Sequence, residues 1–514
     1  MNGAESLIRT LAAGGVEICF TNPGTSEMHI VAALDRLTDV RCVLALFEGV
    51  VTGAADGYAR MAAKPASTLL HLGPGLANGL ANLHNASRAH VPIVNIVGQH
   101  ATYHLRHDAP LTADIEGIAR PYSKWLRTSR TTSEVGHDAA NAILAARTAP
   151  GQIATLIVPA DVSWCDGGVV PELAAPSRAP LPAGETIERA IAMLRSNLRT
   201  AMLISGGALY GKGLEAAGRI ARATNAHLFA PYNFTRLERG AGAPFVERIP
   251  YVLEQAVERL KEFRQLILVG ASVPVAYFAY PGKNSVPIPP GCEILELANP
   301  SEDCIGVLDE LAAALSLTSA ESAVETLEQS LVPSGSISLQ GLAAAVAALL
   351  PENTIVVDES MTSGHGMMAA TRRARPHDWL ANTGGSIGIA LPLAIGAAVA
   401  RPDRRVLCLS ADGSGMYTAQ GLWTMARESL NVTTVIFANR VYGVLKREFS
   451  GLGVGAPGPC ALDMFEIGRP DLDWVSIAGG MGVPAKRVTS LEEFGRALRE
   501  GFENGGPMLI EVPL

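Results

Sequence analysis

The stretch Arg405-Val406-Leu407-Cys408-Leu409-Ser410-Ala411-Asp412-Gly413-Ser414-Gly415 decides the fold. An unbroken apolar run is followed at once by a carboxylate and two glycines. A second run, Thr433–Ala438, ends on Asn439, 27 positions after Asp412. Short continuous apolar runs read as strands buried on both faces of a parallel sheet. In such a sheet both polar residues emerge at the carboxyl ends of strands, where ligands bind. A carboxylate, an amide oxygen and a neighbouring backbone carbonyl are hard donors that suit an octahedral Mg²⁺ completed by ligand phosphates and water. Gly413 and Gly415 allow the backbone to approach a diphosphate closely.

Similar runs recur on both sides: Cys42–Phe47, Thr68–His71, Ile93–Val97, Ile153–Val158, Met202–Ser205, Leu266–Val269, Thr354–Asp358 and Met508–Val512. They alternate with Gly/Ala-rich helical stretches, which predicts α/β architecture with three doubly wound parallel-sheet domains. Linkers are expected at Asp166–Glu185, rich in Pro and small residues, and from about Thr318 to Ser336. The expected blocks are therefore 1–165, 186–317 and 338–514.

Composition narrows the classes further. The 514 residues are 48% hydrophobic and 18% charged, which excludes a disordered chain. The net charge of −8 argues against a nucleic-acid partner. The apolar stretch Gly388–Ala400 is too short to span a bilayer, and the N-terminal MNGAESLIRTLAAGG has the period of a helix, not of a signal peptide. Seven scattered cysteines without a CxxC disfavour a disulfide or zinc scaffold, so a reducing, cytoplasmic compartment is expected.

Two motifs point elsewhere and fail. Gly384-Gly385-Ser386-Ile387-Gly388 has the form of a nucleophile elbow, but the last histidine is His377, so no base follows the serine. It reads as a Gly-rich loop leading into a helix from Ile389 to Ala400. Gly453-Val454-Gly455-Ala456-Pro457-Gly458 has dinucleotide-loop spacing, but Pro457 and Pro459 are expected to interrupt any helix start.

With the Asp412/Asn439 pattern in place, the chain resembles the thiamine diphosphate (ThDP) enzymes, whose cofactor motif is GDG, an intervening strand, then NN. Ala411 stands for the first glycine and Arg440 for the second asparagine. The resemblance implies metal binding by Asp412, Asn439 and the backbone carbonyl of Val441. It extends to Phe20–Thr25, to Phe47-Glu48-Gly49 with Gly53–Arg60, to Gly73-Pro74-Gly75…Asn78, to Gly98-Gln99 and to Arg120-Pro121…Lys124-Trp125. It makes Glu48 the catalytic glutamate. Ile387 becomes the bulky residue that bends the cofactor, and the carbonyl of Gly385 the acceptor of its 4′-amino group. Thr362 and Ser363, with Gly413, Ser414, Tyr442 and Gly443, complete the cofactor site. The first block is then the pyrimidine-binding domain and the third the diphosphate-binding domain.

The implied chemistry explains Glu48. A buried glutamate hydrogen-bonded to N1′ of the pyrimidine lets the 4′-imino group act as base toward the thiazolium C2 proton. The resulting ylid attacks a 2-oxo acid, CO₂ leaves, and an enamine remains. Protonation gives an aldehyde, as in benzoylformate decarboxylase. Attack on a second carbonyl, the alternative, is the acetolactate synthase reaction. His71 matches a pocket histidine of the decarboxylase, and Thr25 stands where it has a carboxylate-binding serine. That enzyme's second pocket histidine would fall within Pro274–Ala279, where none stands. Glu448 falls at a position lining its aromatic pocket, which points to a polar or cationic substrate. Against the synthase, its tryptophan has no counterpart in Asn439–Gly451, and Pro110 replaces its phenylalanine. FAD in the middle block is disfavoured but not excluded. His100, His104 and His107 are assigned to a loop face. A non-catalytic ThDP-fold regulatory subunit is disfavoured because Glu48, Asp412 and Asn439 occur together, and a nucleotide-binding module is poorer still. The resemblance also implies a homodimer or homotetramer, with Glu48 of one chain reaching cofactor held by its partner.

Overall fold

The computed structural model describes residues 1–317 and 322–514. The first sheet contains β1 (Ile18–Asn22), β2 (Arg41–Leu44), β3 (Ala66–Leu70), β4 (Ile93–Gln99), β5 (Trp125–Thr128) and β6 (Ile153–Pro159). The second contains β7 (Thr200–Ile204), β8 (His227–Ala230), β10 (Glu247–Arg248), β11 (Gln265–Val269) and β12 (Glu293–Ala298), with β9 (Arg236–Arg239) leaving this block for the third. The third adds β13 (Thr354–Glu359), β14 (His377–Ala381), β15 (Val406–Ala411), β16 (Val432–Ala438), β17 (Ala485–Arg487) and β18 (Met508–Pro513). The orders are β2-β1-β3-β4-β6-β5, β10-β8-β7-β11-β12 and β17-β18-β16-β15-β13-β14-β9.

The first two sheets are wholly parallel, as expected. The third departs from the expectation, because β9 runs antiparallel to β14. A strand of the central block therefore closes the edge of the third sheet. Its sequence, RLER, alternates polar and apolar residues and so lacks the continuous apolar run of the other strands. Leu237 faces Trp379 of β14, and Arg236 Nε donates to Asp378 Oδ1 at 2.7 Å.

The third sheet lies between two cores. On β15, Leu407 and Leu409 pack with the middle block, while Val406 and Cys408 pack with the first block. This two-residue alternation, apolar on both faces, is why the run is continuous in sequence. The helix Glu48–Ala62 crosses the helix Ala390–Ala400 at van der Waals contact. A Cβ on Gly396 would lie 1.9 Å from the carbonyl oxygen of Ala54, and one on Gly57 2.2 Å from that of Leu393.

Some local expectations shift. Phe47 is the extended residue before a helix, since β2 ends at Leu44, and His71 lies just beyond β3. The segment after Asp166 carries no helix or strand until Gly184–Arg195 begins. The start of the second expected linker, Thr318 to Glu321, lies outside the described residues. Pro459 begins the short helix Pro459–Phe465 instead of blocking one, because proline at the first helical position lacks only an N–H that has no partner there. A helix, Gly443–Gly451, precedes that loop, so the strand a dinucleotide site requires is absent there. All seven cysteines are free thiols. Among the described residues no helix is long and apolar enough to cross a membrane.

Candidate active site

Glu48 opens the helix Glu48–Ala62, where an acidic first turn is favoured by the helix dipole. Its carboxylate is buried between two amides. Asn22, the last residue of β1, donates to Oε1 at 3.2 Å, and Asn78 donates to Oε2 at 3.0 Å. A Cβ on Gly75 would lie 3.4 Å from Oε1, so the small residue leaves the carboxylate room.

Beside this corner lies a pair that sequence reasoning half missed. His71 Nδ1 donates to Glu27 Oε2 at 2.7 Å, and the same oxygen accepts the Gly24 N–H at 2.8 Å. Glu27 is fully buried, its Oε1 has no partner, and burial pushes its pKa up against the pull of His71. With Nδ1 committed to the carboxylate, the exchangeable nitrogen of His71 is Nε2. A Cβ on Gly24 would lie 2.2 Å from Nδ1, so the ring rests directly on that glycine. Thr25, exposed, starts the 3-10 turn Thr25–Glu27 and is thereby next to the ring's support.

The third sheet supplies the other group. Asp412 follows β15 and is buried; Oδ1 accepts the Gly413 N–H and Oδ2 the Arg440 N–H, each at 2.8 Å. Burial outweighs these bonds and pushes its pKa up. Arg440 turns its own side chain to Asp471 at 2.7 Å. A buried carboxylate without a paired cation fits a bound metal ion. Asn439 Nδ2 donates to Ser363 Oγ at 3.2 Å, and its Oδ1 accepts the Val441 N–H at 3.1 Å. Thr362 joins this group, since a Cβ on Gly443 would lie 2.8 Å from its Oγ1, and the Tyr442 ring lies over Gly413. Met361 and Arg440, beside Thr362 and Asn439, are left-handed at φ 52° and 58°, as is Leu72 after His71 at 53°. Such strain collects where a site fixes its backbone.

The loop Gly384–Gly388 leads into the helix Ala390–Ala400 and packs on Asn85 and Tyr417. Gly385 has φ 82°, and its N–H donates to Asn382 Oδ1 at 2.8 Å. Ser386 exchanges bonds with Asn85, and Ile387 is half-buried. Sequence reasoning missed Glu359, at the end of β13. Its carboxylate accepts the N–H groups of Gly388, Ile389 and Ala390 at 3.1–3.2 Å, capping the helix Ala390–Ala400. It is wholly buried, and burial raises its pKa to about 7. Tyr277 was missed too. Its Cε1 would lie 3.2 Å from a Cβ on Gly385, and its hydroxyl donates to Asn233 Oδ1 at 2.6 Å. It stands within the segment where no histidine was found.

Among the described residues, no side-chain hydrogen bond links Glu48 to the Asp412–Gly443 group. His100, His104 and His107 lie in a row, their rings tilted and their centroids 5.4 and 5.6 Å apart. Among the described residues no cluster of three or more His, Cys, Asp or Glu side chains has metal-site geometry.

Comparison with known proteins identifies the family. The N-terminal TPP-binding domain of thiamine pyrophosphate enzymes matches residues 1–118, and their C-terminal TPP-binding domain matches 361–512. The chain is 52% identical, over 100% of its length and 99% of the other's, to the Mycobacterium tuberculosis protein IlvX, provisionally named an acetolactate synthase large subunit. It is 29% identical to benzoylformate decarboxylase of Pseudomonas aeruginosa, covering 97% of this chain and 96% of that one. The fold superposes with TM-score 0.86, at 24% identity, on a thiamine diphosphate-dependent 4-hydroxybenzoylformate decarboxylase of Rhodococcus jostii RHA1, covering 100% and 99% of the two chains. The chain belongs to the thiamine pyrophosphate enzyme family.

Proposed function

We propose that the protein decarboxylates a 2-oxo acid with ThDP and Mg²⁺, releasing CO₂ and an aldehyde. The observation that carries this reading is the His71–Glu27 pair beside Glu48, which supplies a proton-transfer group in addition to the cofactor's own glutamate. When bound, ThDP supplies the carbon nucleophile and the electron sink. Asp412, Asn439 and the Val441 carbonyl would hold the metal ion. Thr362, Ser363, Gly413, Ser414, Tyr442 and Gly443 would receive the diphosphate. The Gly385 carbonyl and Ile387 would contact the rings of the cofactor, and Glu48 would hydrogen-bond its pyrimidine. Thr25 would bind the substrate carboxylate, and His71, oriented by Glu27, would hold a transferable proton on Nε2. A synthase outcome, in which a second 2-oxo acid takes the place of that proton, is the alternative.

A second copy of the chain completes the site in this reading. Large apolar side chains are exposed beside both halves, with Leu46 next to Phe47 and Glu48, and Met416 and Tyr417 just past Asp412. The test is CO₂ release with ThDP and Mg²⁺ across 2-oxo acids from pyruvate to benzoylformate and its polar derivatives, with product identification. Glu48→Gln is expected to slow release by a factor of the order of 10² to 10⁴. No release from any acid by cofactor-loaded protein refutes the reading, and an active strict monomer refutes the shared site.

A further inference from the structure

We propose that His104 and His100 form a proton relay that recharges His71 from solvent in each turnover. The inference rests on the reaction assigned above. That reaction breaks the bond between the carbonyl carbon and the carboxylate, releases CO₂ and forms a C–H bond at the carbonyl carbon. A 2-oxo acid anion and one H⁺ therefore give an aldehyde and CO₂. His71 ends each cycle one proton short, and Nε2, its exchangeable nitrogen, faces the substrate in this reading. The replacement proton needs a path to it from the surface.

Strand β4 carries the inner end of that path to the His71–Glu27 pair. A Cβ on Gly98 would lie 1.6 Å from Glu27 Oε1, so the carboxylate that orients His71 rests on the end of this strand. His100 follows two positions on, which in an extended chain is the same face. Its Nε2 is buried without a hydrogen-bond partner, and the groups whose charge acts on its imidazole are His104 and His71. The loop then turns outward. The His100 N–H donates to Gln99 Oε1 at 2.8 Å, the Thr102 N–H to Asp161 Oδ1 at 2.9 Å, and the His104 N–H to the Ala101 carbonyl at 2.8 Å. The turn so held brings the exposed His104 ring 5.4 Å, centroid to centroid, from that of His100. Rings at that separation exchange a proton directly or through a bridging water. His107, 5.6 Å further on, accepts from Arg106 Nε at 3.4 Å. A permanent cation disfavours a second positive charge there, which makes His104 the entry.

The electrostatics give the relay its direction. Burial and the neighbouring imidazoles hold the His100 pKa below the ordinary histidine value, so a proton does not rest there. On His71 the same proton lies against the Glu27 carboxylate at 2.7 Å. In the ThDP- and Mg²⁺-loaded protein, His100→Ala is expected to lower kcat for CO₂ release at least about tenfold. The ratio kcat/KM should be retained, because reprotonation follows the loss of CO₂. Added imidazole should restore most of the lost rate and leave wild type unaffected. In cofactor-free protein, histidine NMR is expected to show the His100 titration moving to higher pH in His71→Gln and in His104→Gln, since each removes a like charge. Wild-type kcat in His100→Ala, a loss that imidazole leaves unrepaired, or an unmoved His100 titration in either variant overturns the relay and leaves the decarboxylation reading standing. No CO₂ release by loaded wild type from any 2-oxo acid overturns both.

Discussion

The imidazole of His71 and the carboxylate of Glu27 meet at 2.7 Å, with the ring lying on Gly24 and the far carboxylate oxygen sealed from any partner. The geometry makes Glu27 a positioning residue, since it fixes both the rotamer and the tautomer of the histidine. Glu27→Gln keeps the volume and is expected to lower kcat by a factor of the order of 10² with cofactor affinity retained. The pH profile of kcat/KM should also move, because the change removes a buried carboxyl whose pKa burial raises. A variant with wild-type kcat and an unmoved profile would remove Glu27 from the mechanism.

Glu359 gives a pH dependence with a definite sign. Burial raises its folded pKa to about 7, above the ordinary value of 4.5. Between those values the folded protein binds more protons than the unfolded chain, so stability falls as pH rises. That contribution is fully present below pH 4.5 and lost above 7, a difference of about 3 kcal/mol at most. Denaturation of wild type and Glu359→Gln at pH 5 and pH 8 is expected to show the wild type losing more stability with pH. Parallel behaviour of the two proteins would show that the carboxylate enters the fold already ionised.

The contrast between these two acids and Asp412 shows what the sequence makes legible. Asp412 and Asn439 stand out because each follows a strand made recognisable by an unbroken apolar run, which places both at the carboxyl ends of neighbouring strands. Glu27 and Glu359 carry no such mark. Their partners, His71 at 44 residues' separation and the Gly388–Ala390 backbone 29 to 31 residues away, are set by the crossing of elements. Tyr277 is likewise identified only by its contact with Gly385. The β9–β14 edge was illegible for a different reason. β9 is four residues of alternating polar and apolar side chains, and β14 opens on His377 and Asp378, so neither shows the longer apolar run by which the others are recognised.

Removal of the proposed metal donor tests the third-sheet group directly. Asp412→Asn keeps the shape and loses the charge that a buried divalent cation requires. Affinity for Mg²⁺ with ThDP is expected to fall at least about tenfold, measured by calorimetry, and a chelator should abolish wild-type activity reversibly. Wild-type affinity in the variant would place the cation elsewhere.

The middle block bears on flavin. Its Gly-rich turn leads to the helix Gly211–Thr224, whose N-terminus is where a dinucleotide phosphate would dock. Glu238, on β9, already caps it, with Oε2 accepting the Gly211 N–H at 2.9 Å. A diphosphate there would meet a carboxylate. Purified protein is expected to lack flavin absorbance, and added FAD to leave activity unchanged. Stoichiometric bound flavin would refute this.

Arg60 ties the three blocks together at one point. It forms a buried pair with Asp56, Nη2 to Oδ2 at 2.7 Å, and its Nη1 donates to the Ala381 carbonyl at 2.8 Å and the Thr235 carbonyl at 3.1 Å. A further bond reaches Thr383 Oγ1 at 3.0 Å, on the segment leading into the Gly384–Gly388 loop. Arg60→Leu leaves Asp56 charged and unpaired in the interior, which costs about 3–5 kcal/mol. Asp56→Asn with Arg60→Leu should recover part of that loss, because no isolated charge remains. Denaturant unfolding of the single and double variants measures both values. A single variant within about 1 kcal/mol of wild type would show that the tie adds nothing to the packing of the helices Glu48–Ala62 and Ala390–Ala400.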